Sequence, residues 1–257
     1  MNTPAPRVSL FGIQIDALRM PAAVARVYEW IHQPARRCEY VVTPNVDHTV
    51  ILQSNSALRA AYEQAGLVLA DGFPVVWASR FVRRPLPETV TGSDLVPALF
   101  DAAAEQGGVR VFLLGAAPGV ALIAAARIME RWPAVTVVGT YSPPLGFERD
   151  DAENARIVEM VNAAEPHLLV IGFGAPKQEL WIARHAAQLR VPAALCVGAT
   201  IDFLAGEKAR APVWMRRLRL EWLHRLCSEP RRLAKRYARD AWVFPQLVWR
   251  EWRTLSH

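Results

Sequence analysis

The sequence predicts an α/β protein: a largely parallel sheet with helices on both faces, followed by a helical C-terminal appendage. Short apolar runs alternate with longer amphipathic stretches over the first 200 residues. This alternation is typical of parallel sheets whose strands are joined by helices. The apolar runs end near residue 206, after which the chain is basic and rich in tryptophan. We therefore predict an α/β core at residues 1–206 and an appendage at residues 207–257.

The elements of the core follow from this pattern. Residues 8–15 are expected to form a strand or a hairpin, and six apolar runs are expected to be buried strands: residues 39–42, 67–70, 109–114, 135–138, 168–171 and 194–197. Apolar spacing predicts helices at residues 21–33, 93–106, 118–132, 150–164 and 176–189. Ser93 is the expected N-cap of the second helix. In the appendage we expect helices, one of them around residues 214–226, interrupted at Pro230 and Pro245.

The composition indicates a globular protein without a disulfide framework. Of the 257 residues, 52% are hydrophobic and 21% are charged, which is ordinary for a chain with a sizeable core. The three cysteines are widely spaced, so a reducing compartment is expected. We predict neither a signal peptide nor a membrane span, because no apolar leader and no run of 18 apolar residues is present.

Charge and tryptophan are concentrated at the C-terminal end. Residues 210–257 contain 12 Lys and Arg against 4 Asp and Glu, and five of the nine tryptophans. The preceding residues carry a slightly negative balance. A basic segment rich in tryptophan indicates binding either to nucleic acid or to an anionic membrane surface.

Polar residues follow the first two buried strands. An open parallel sheet binds its ligands beyond the carboxyl ends of its strands. Thr43 and Asn45 follow the first of these strands and Asp71 follows the second. Asp71 is suited either to act as a general base toward a hydroxyl group or to form an Asx-turn that shapes the loop. Thr43 and Asn45 have the same two interpretations, ligand contact or turn formation.

A loop of small residues follows the third buried strand. It contains Gly115, Ala116 and Gly119 and leads into a predicted helix. Such a loop lets backbone amides approach a phosphate group, although a tight turn has the same composition. Neither the Walker sequence nor the complete dinucleotide fingerprint is present.

The later strands are followed by further candidate ligand contacts. Tyr141 lies after the fourth, Gly172, Lys177 and Gln178 lie after the fifth, and Asp202 lies after the sixth. Lys177 and Gln178 begin a helix, where they either contact a sugar or phosphate or form a solvated helix start. Histidine and cysteine at zinc-ligand spacing are absent, as is an Asp-x-Asp motif. The sequence therefore predicts no metal site.

Taken together, these segments resemble the WecG/TagA/CpsF glycosyltransferases. The resemblance covers about residues 8–245, and its specificity lies in the number, order and spacing of the matching stretches. These are Thr43-Pro44-Asn45, Ala70-Asp71-Gly72, residues 90–94 (VTGSD), 115–119, 172–179 (GFGAPKQE), 197–203 (VGATIDF), 205–212 (AGEKARAP) and 220–232 (LEWLHRLCSEPRR), then Arg236-Tyr237.

The resemblance implies a Rossmann-like catalytic core and a membrane-associating appendage. The donor would be a UDP-sugar, used as co-substrate without a cofactor or metal. The acceptor would be a sugar on undecaprenyl diphosphate, in cell-surface polysaccharide synthesis. N-acetylmannosamine, its uronic acid and glucose are all compatible as the transferred sugar. The protein would be peripheral on the inner face of the cell membrane and would not bind nucleic acid, and a homo-oligomer is compatible with the sequence.

The resemblance also assigns roles to individual residues. Asp71 would be the catalytic base, with Thr43, Asn45 and Gln178 as polar groups of the active site. From their positions after the strands, the residues expected to bind the donor are Gly115, Ala116, Gly119, Tyr141, Gly172, Lys177 and Asp202. Those expected to bind the acceptor diphosphate are Arg225, Arg232 and Lys235.

Two positions depart from the family pattern. Many members have an arginine where this chain has Thr89, and a third appendage arginine is replaced by Lys235. Lysine keeps the charge but loses the bidentate geometry of a guanidinium group. Both departures concern the acceptor side of the site.

Two other classes of protein compete with this interpretation. A nucleotide-dependent oxidoreductase would require the dinucleotide fingerprint, which is missing. A nucleic-acid-binding protein would use the basic appendage, but arginine combined with interfacial tryptophan favours lipid headgroups.

Overall fold

A computed structural model describes residues 6–33, 38–212, 214, 215, 218 and 220–254, including the backbone but not the side chain of Arg232. Its strands are β1 (Arg7–Leu10), β2 (Ile13–Asp16), β3 (Glu39–Val42), β4 (Leu67–Val68), β5 (Val109–Gly115), β6 (Val135–Tyr141), β7 (Leu168–Gly172) and β8 (Ala193–Cys196). All six predicted core strands are present, and residues 8–15 form the predicted hairpin of β1 and β2.

Helices connect the strands and complete the chain. They are α1 (Met20–His32), α2 (Val46–Ile51), α3 (Ser56–Gln64), α4 (Phe73–Phe81), α5 (Gly92–Ala102), α6 (Val120–Arg131), α7 (Asp151–Ala164), α8 (Lys177–His185), α9 (Thr200–Ala205), α10 (Glu221–Ser228) and α11 (Pro230–Thr254), with a 3-10 turn at Phe147–Arg149. The five predicted core helices are confirmed within a few residues. The predictions did not include α2, α3, α4 and α9.

Two local predictions were wrong. The N-cap of α5 is Thr91 and not the predicted Ser93, since the helix begins two residues earlier than expected. Thr91 Oγ1 accepts a hydrogen bond from Asp94 N at 3.1 Å. Pro230 begins α11 as predicted, a position that tolerates its missing N–H. Pro245, however, lies inside a continuous helix, since Phe244, Leu247 and Val248 beside it are buried in the core.

The six-stranded sheet is entirely parallel, in the order β4-β3-β8-β7-β5-β6. The chain leaves β5 for α6 on one face and leaves β7 for α8 on the other. It likewise leaves β3 for α2 and β8 for α9 on opposite faces. Neighbouring strands whose connections depart to opposite faces open a crevice at their carboxyl ends, where α/β proteins bind ligands.

Separate apolar clusters cover the two faces of the sheet, as predicted for a doubly covered sheet. One contains side chains of α2, α3, α4, α7 and α8, and the other contains side chains of α1, α5, α6 and α9. The helix α11 contributes to the first cluster: Phe244 lies 5.4 Å from Phe11, measured between ring centres, and Phe11 N donates to Glu251 Oε1 at 2.9 Å. The C-terminal helix is therefore packed on the core. Among the described helices, none is both long and apolar enough to cross a membrane.

Candidate active site

Four polar side chains predicted from the strand ends meet at one edge of the sheet. Thr43, Asn45, Asp71 and Gln178 line a cavity of about 190 Å³, and Arg225 on α10 lines it from the appendage. The strand order accounts for this meeting, because β4, β3, β8 and β7 are consecutive neighbours. The loops that follow these strands therefore share one crevice.

Hydrogen bonds fix the segment that follows β3. Asn45 caps α2, and its Oδ1 accepts from His48 N at 3.2 Å. Thr43 Oγ1 donates to the last carbonyl of β8 at 3.5 Å. Asp71 N donates to Pro44 O at 2.9 Å, so the loop after β4 is held against the loop after β3. Each of these polar residues shapes a turn and also faces the cavity.

Gln178 joins the loops after β7 and β8. Its buried Oε1 accepts hydrogen bonds from Gly174 N at 3.2 Å and from Gly198 N at 3.1 Å. Its Nε2 donates to Glu179 Oε1 at 2.8 Å, and the Glu179 side chain is completely buried. The carboxylate thereby fixes which end of the Gln178 amide faces the two loops. Gln178 positions two walls of the cavity as well as lining it.

The carboxyl group of Asp71 has an unusual acid–base equilibrium. Burial raises its pKa from 3.8 to about 7. The guanidinium groups of Arg225 and Arg210 lower this pKa, whereas the carboxylates of Glu221 and Asp94 raise it. A carboxyl group that loses its proton near neutral pH is well matched to accept a proton from a hydroxyl group.

A second cavity of about 590 Å³ opens from the same place, since Asp71 and Arg225 line both. Its wall includes an ion cluster centred on Arg210. Arg210 Nη2 lies 2.7 Å from Asp94 Oδ1, and its Nε lies 3.7 Å from Glu221 Oε1. The segment after α9 is therefore tied both to α5 and to α10.

The appendage brings further arginines to this edge. Arg236 on α11 lines both cavities, and its Nη1 lies 3.4 Å from Asp47 Oδ2. Arg239 also pairs with Asp47. The Arg225 guanidinium lies 5.5 Å from the ring centre of Phe203. Arginine and carboxylate side chains thus alternate beside the Asp71 carboxyl, and the guanidinium groups among them are suited to bind an anionic substrate.

The three residues predicted to bind the acceptor diphosphate have different placements. Arg225 lines both cavities. The side chain of Arg232 lies outside the described part of the chain. Lys235 is exposed and lines neither cavity, whereas its neighbour Arg236 lines both.

The predicted donor loop lies at the carboxyl end of β5, beside these cavities in the sheet. Gly115 has a φ of 117°, and a Cβ there would lie 2.7 Å from Gly172 C and O. Close approach of the backbone at β7 therefore explains this glycine. Ala116 N donates to Gly172 O at 3.1 Å. Gly119 has a φ of 84° and caps α6, with open space where a Cβ would lie.

The other predicted donor contacts are engaged with neighbouring side chains or turns. Tyr141 Oη donates to Glu153 Oε1 at 2.5 Å, and Lys177 Nζ lies 3.1 Å from Glu148 Oε2. The carbonyl of Asp202 accepts from residue 207 in the turn that ends α9. None of these three residues lines either of the two cavities described above, and neither do residues 115–119 or Gly172.

The structure adds residues to the site that the sequence interpretation did not select. Asp47 and His48 line the smaller cavity, Asp94 and Arg210 line the larger one, and Arg236 lines both. A signal was available for most of them: Asp47 and His48 directly follow the Asn45 segment, and the others fall within the stretches that resemble the family. Across the described residues, no group of three or more His, Cys, Asp or Glu side chains is arranged to hold a metal ion.

Comparison with known proteins agrees with this architecture. The family model of the glycosyl transferase WecG/TagA/CpsF family matches residues 8–257, and the chain therefore belongs to this family of glycosyltransferases. It is similar to proteins named N-acetylglucosaminyldiphosphoundecaprenol N-acetyl-beta-D-mannosaminyltransferase from Staphylococcus aureus strains MW2 and NCTC 8325 / PS 47. Each is 27% identical over 229 residues, which is 89% of this chain and 87% of the relative.

Proposed function

We propose that this glycosyltransferase moves N-acetylmannosamine from a UDP-sugar to N-acetylglucosamine carried on diphosphoundecaprenol. The observation that carries the proposal is the Asp71 carboxyl, whose pKa is about 7, in a cavity bordered by Arg225 and Arg236 of the appendage. A base and a diphosphate-binding surface are the two groups that this acceptor requires. The names of the relatives favour N-acetylmannosamine over its uronic acid or glucose.

The geometry supports a single displacement at the anomeric carbon. Asp71 accepts the proton of the acceptor hydroxyl as the hydroxyl oxygen attacks the anomeric carbon of the donor. The bond between that carbon and the β-phosphate oxygen breaks, and UDP leaves with the bonding electrons. Arg225 and Arg236 pair with the diphosphate of the acceptor, because guanidinium groups bind phosphate oxygens in a bidentate manner.

The donor in this proposal lies over residues 115–119. Gly119 leaves space above the N-terminus of α6, where backbone amides and the helix dipole favour a diphosphate. Lys177, placed at the start of α8, exchanges its partner Glu148 for the diphosphate when the donor binds. This arrangement neutralises the UDP without a metal ion, so the reaction is proposed to need neither metal nor cofactor.

The appendage supports a peripheral location on the inner face of the cell membrane. The basic C-terminal segment carries exposed aromatic side chains, among them Trp214, Trp242 and Trp249. Each Lys or Arg near an anionic surface contributes about 1 kcal/mol, and interfacial tryptophan adds apolar contact. Binding to the surface would place the site beside its lipid-linked acceptor.

A donor panel tests the proposal. The full chain is incubated with UDP-N-acetylmannosamine, its uronic acid counterpart or UDP-glucose, and with N-acetylglucosamine on a short prenyl diphosphate. We expect mass spectrometry to show addition of one N-acetylhexosamine from the first donor, unaffected by EDTA. Asp71→Asn serves as the inactive control. Preferential transfer of glucose or of the uronic acid would contradict the sugar assignment, and loss of transfer in EDTA would contradict the metal-free reaction.

A further inference from the structure

The larger cavity changes from charged to apolar along α11. Arg236 lines it near Asp71, and Tyr237, Ala241 and Pro245 follow on the same side of the helix. Their spacing of four residues places them in one row. Asp240, which also lines this stretch, is paired with Arg239 at 2.9 Å. The cavity therefore has a charged end, with Arg225 and Arg236 beside the Asp71 carboxyl, and an apolar end away from it.

The apolar row continues beyond the cavity to the surface. Trp249 and Trp252 lie one and two turns after Pro245, and their stacked rings are 5.0 Å apart. Trp249 is 56% exposed. At a rise of about 1.5 Å per residue, the row from Tyr237 to Trp252 is about 22 Å long. This length exceeds what the sugar or the diphosphate of the acceptor occupies.

The helix α4 supplies the opposite wall. Phe73 lines the cavity, and Trp77 and Phe81 follow at four-residue intervals, so they lie on the same side of the helix. Their stacked rings are 5.6 Å apart, and each ring is about half exposed. Arg84, shortly after α4, lies 3.6 Å from Glu251 of α11. Both helices thus lead away from Asp71 and are joined again at their far ends.

We propose that this α4–α11 groove, bordered by Phe73, Trp77 and Phe81 on one side and by Tyr237, Ala241 and Pro245 on the other, binds the isoprenoid chain of the acceptor. The inference rests on the proposed function. Its support is the match of polarity: guanidinium groups meet the diphosphate, and the adjoining apolar walls meet the hydrocarbon. Burial of each CH₂ group tightens binding about fourfold. A second protein chain is a poorer occupant, because its backbone N–H and C=O groups would need hydrogen-bond partners. The side chains that border the groove on α4 and α11 are mostly apolar.

Acceptors of different chain length test the groove. The same sugar diphosphate is placed on one, two or three isoprene units, each below its critical micelle concentration. For the wild-type protein, kcat/KM is expected to rise about tenfold per added isoprene unit. This gain is smaller than complete burial of five carbon atoms would give. Ala241→Trp, which fills the groove at an exposed position, should reduce the ratio of the longest to the shortest acceptor to less than threefold. Gln246→Trp, at an exposed position on another face of the same helix, does not line the cavity and should retain the full ratio.

A binding measurement separates this inference from the proposed function. We expect farnesyl diphosphate to bind the wild-type chain about 100-fold more tightly than inorganic diphosphate in calorimetry, and Ala241→Trp to remove most of that difference. Trp77→Ser with Phe81→Ser should weaken farnesyl diphosphate about tenfold, whereas the exposed control Leu122→Ser should not. If transfer fails with every acceptor but farnesyl diphosphate is preferred, the proposed function fails and the groove stands. Equal affinities for farnesyl diphosphate and inorganic diphosphate would contradict the proposed groove. The groove would also be contradicted if Trp77→Ser with Phe81→Ser affected only acceptors bound to vesicles.

Discussion

The guanidinium group of Arg236 lies 3.4 Å from the carboxylate of Asp47, and this pair joins the C-terminal helix to the start of α2. Arg239 contacts the same carboxylate. The pairing holds Arg236, near the C-terminal end of the chain, in the wall of a cavity that core residues such as Asp71 also line. Asp47 is therefore one of the core residues that hold the appendage at the candidate active site.

Asp47→Asn should weaken this connection and destabilise the fold. We expect a loss of about 1–3 kcal/mol in the free energy of unfolding, because hydrogen-bonded charge at a mostly buried carboxylate is removed. Urea denaturation measures the change. Asp151→Asn is the matched control, since its ion pair with Arg184 is exposed and should contribute less than about 0.5 kcal/mol. Equal effects of the two substitutions would contradict a special role for Asp47.

Asp71→Asn should reduce turnover about 100- to 10,000-fold, the range that a well-placed base contributes. In the wild-type chain the base must be deprotonated, so kcat/KM should fall as the pH drops below about 7, following the raised pKa of Asp71. UDP binding by the variant should be unchanged. A rate within a few-fold of wild type, or a flat pH profile between pH 5 and 8, would remove Asp71 from this role.

The same pKa makes an independent prediction about stability. Because folding raises the pKa of Asp71 from 3.8 to about 7, the folded state retains this proton at pH values where the unfolded chain has released it. The contribution of Asp71 to stability therefore declines between about pH 4 and pH 7. Asp71→Asn cannot titrate, so its stability relative to wild type should increase over that interval. Urea denaturation measures both proteins at several pH values. If their free energies of unfolding changed equally with pH over this range, the raised pKa would be disproved.

Ala116→Asp should weaken UDP binding at least tenfold if the donor diphosphate lies over residues 115–119. Ala116 has a φ of 62°, a backbone conformation that aspartate and asparagine tolerate well. The added carboxylate would repel the diphosphate, whereas Ala116→Asn introduces almost the same shape without charge. Calorimetry with UDP compares the two variants. Similar affinities for both would place the donor elsewhere. Gly115 is unsuitable for this test, since any Cβ there collides with the backbone of β7.

Arg225→Ala should lower the rate of transfer about 30- to 1000-fold, the effect expected from loss of a charge pair with the acceptor diphosphate. Arg231→Ala removes an exposed arginine that lines neither cavity, so its rate should stay near that of wild type. Vesicle binding should be reduced equally by both substitutions, since each removes one positive charge. Equal losses of transfer in Arg225→Ala and Arg231→Ala would indicate that the appendage acts only through the membrane surface.

Much of the architecture was predictable because it depends on local patterns. The buried strands are short apolar runs in the sequence. Their number, and their alternation with helices, predicted a sheet covered on both faces. The helices α2, α3, α4 and α9 were not predicted, because each is only six to nine residues long and its apolar pattern is correspondingly short. Pro245 was interpreted as a helix end, but buried neighbours in α11 hold the helix through it. Tertiary packing there outweighs a local preference of about 3 kcal/mol.

The sequence by itself determined the parallel sheet, the polar residues at its carboxyl edge, and the contrast between an almost neutral core and a basic, tryptophan-rich appendage. These properties depend on residue type and spacing along the chain. Only the tertiary structure decided that Arg236 faces the Asp71 cavity while Lys235 is exposed, that Asp47 anchors α11, and that α4 and α11 border one groove. Such contacts join residues separated by more than 150 positions, and their formation depends on how helices pack across the sheet edge rather than on any local pattern.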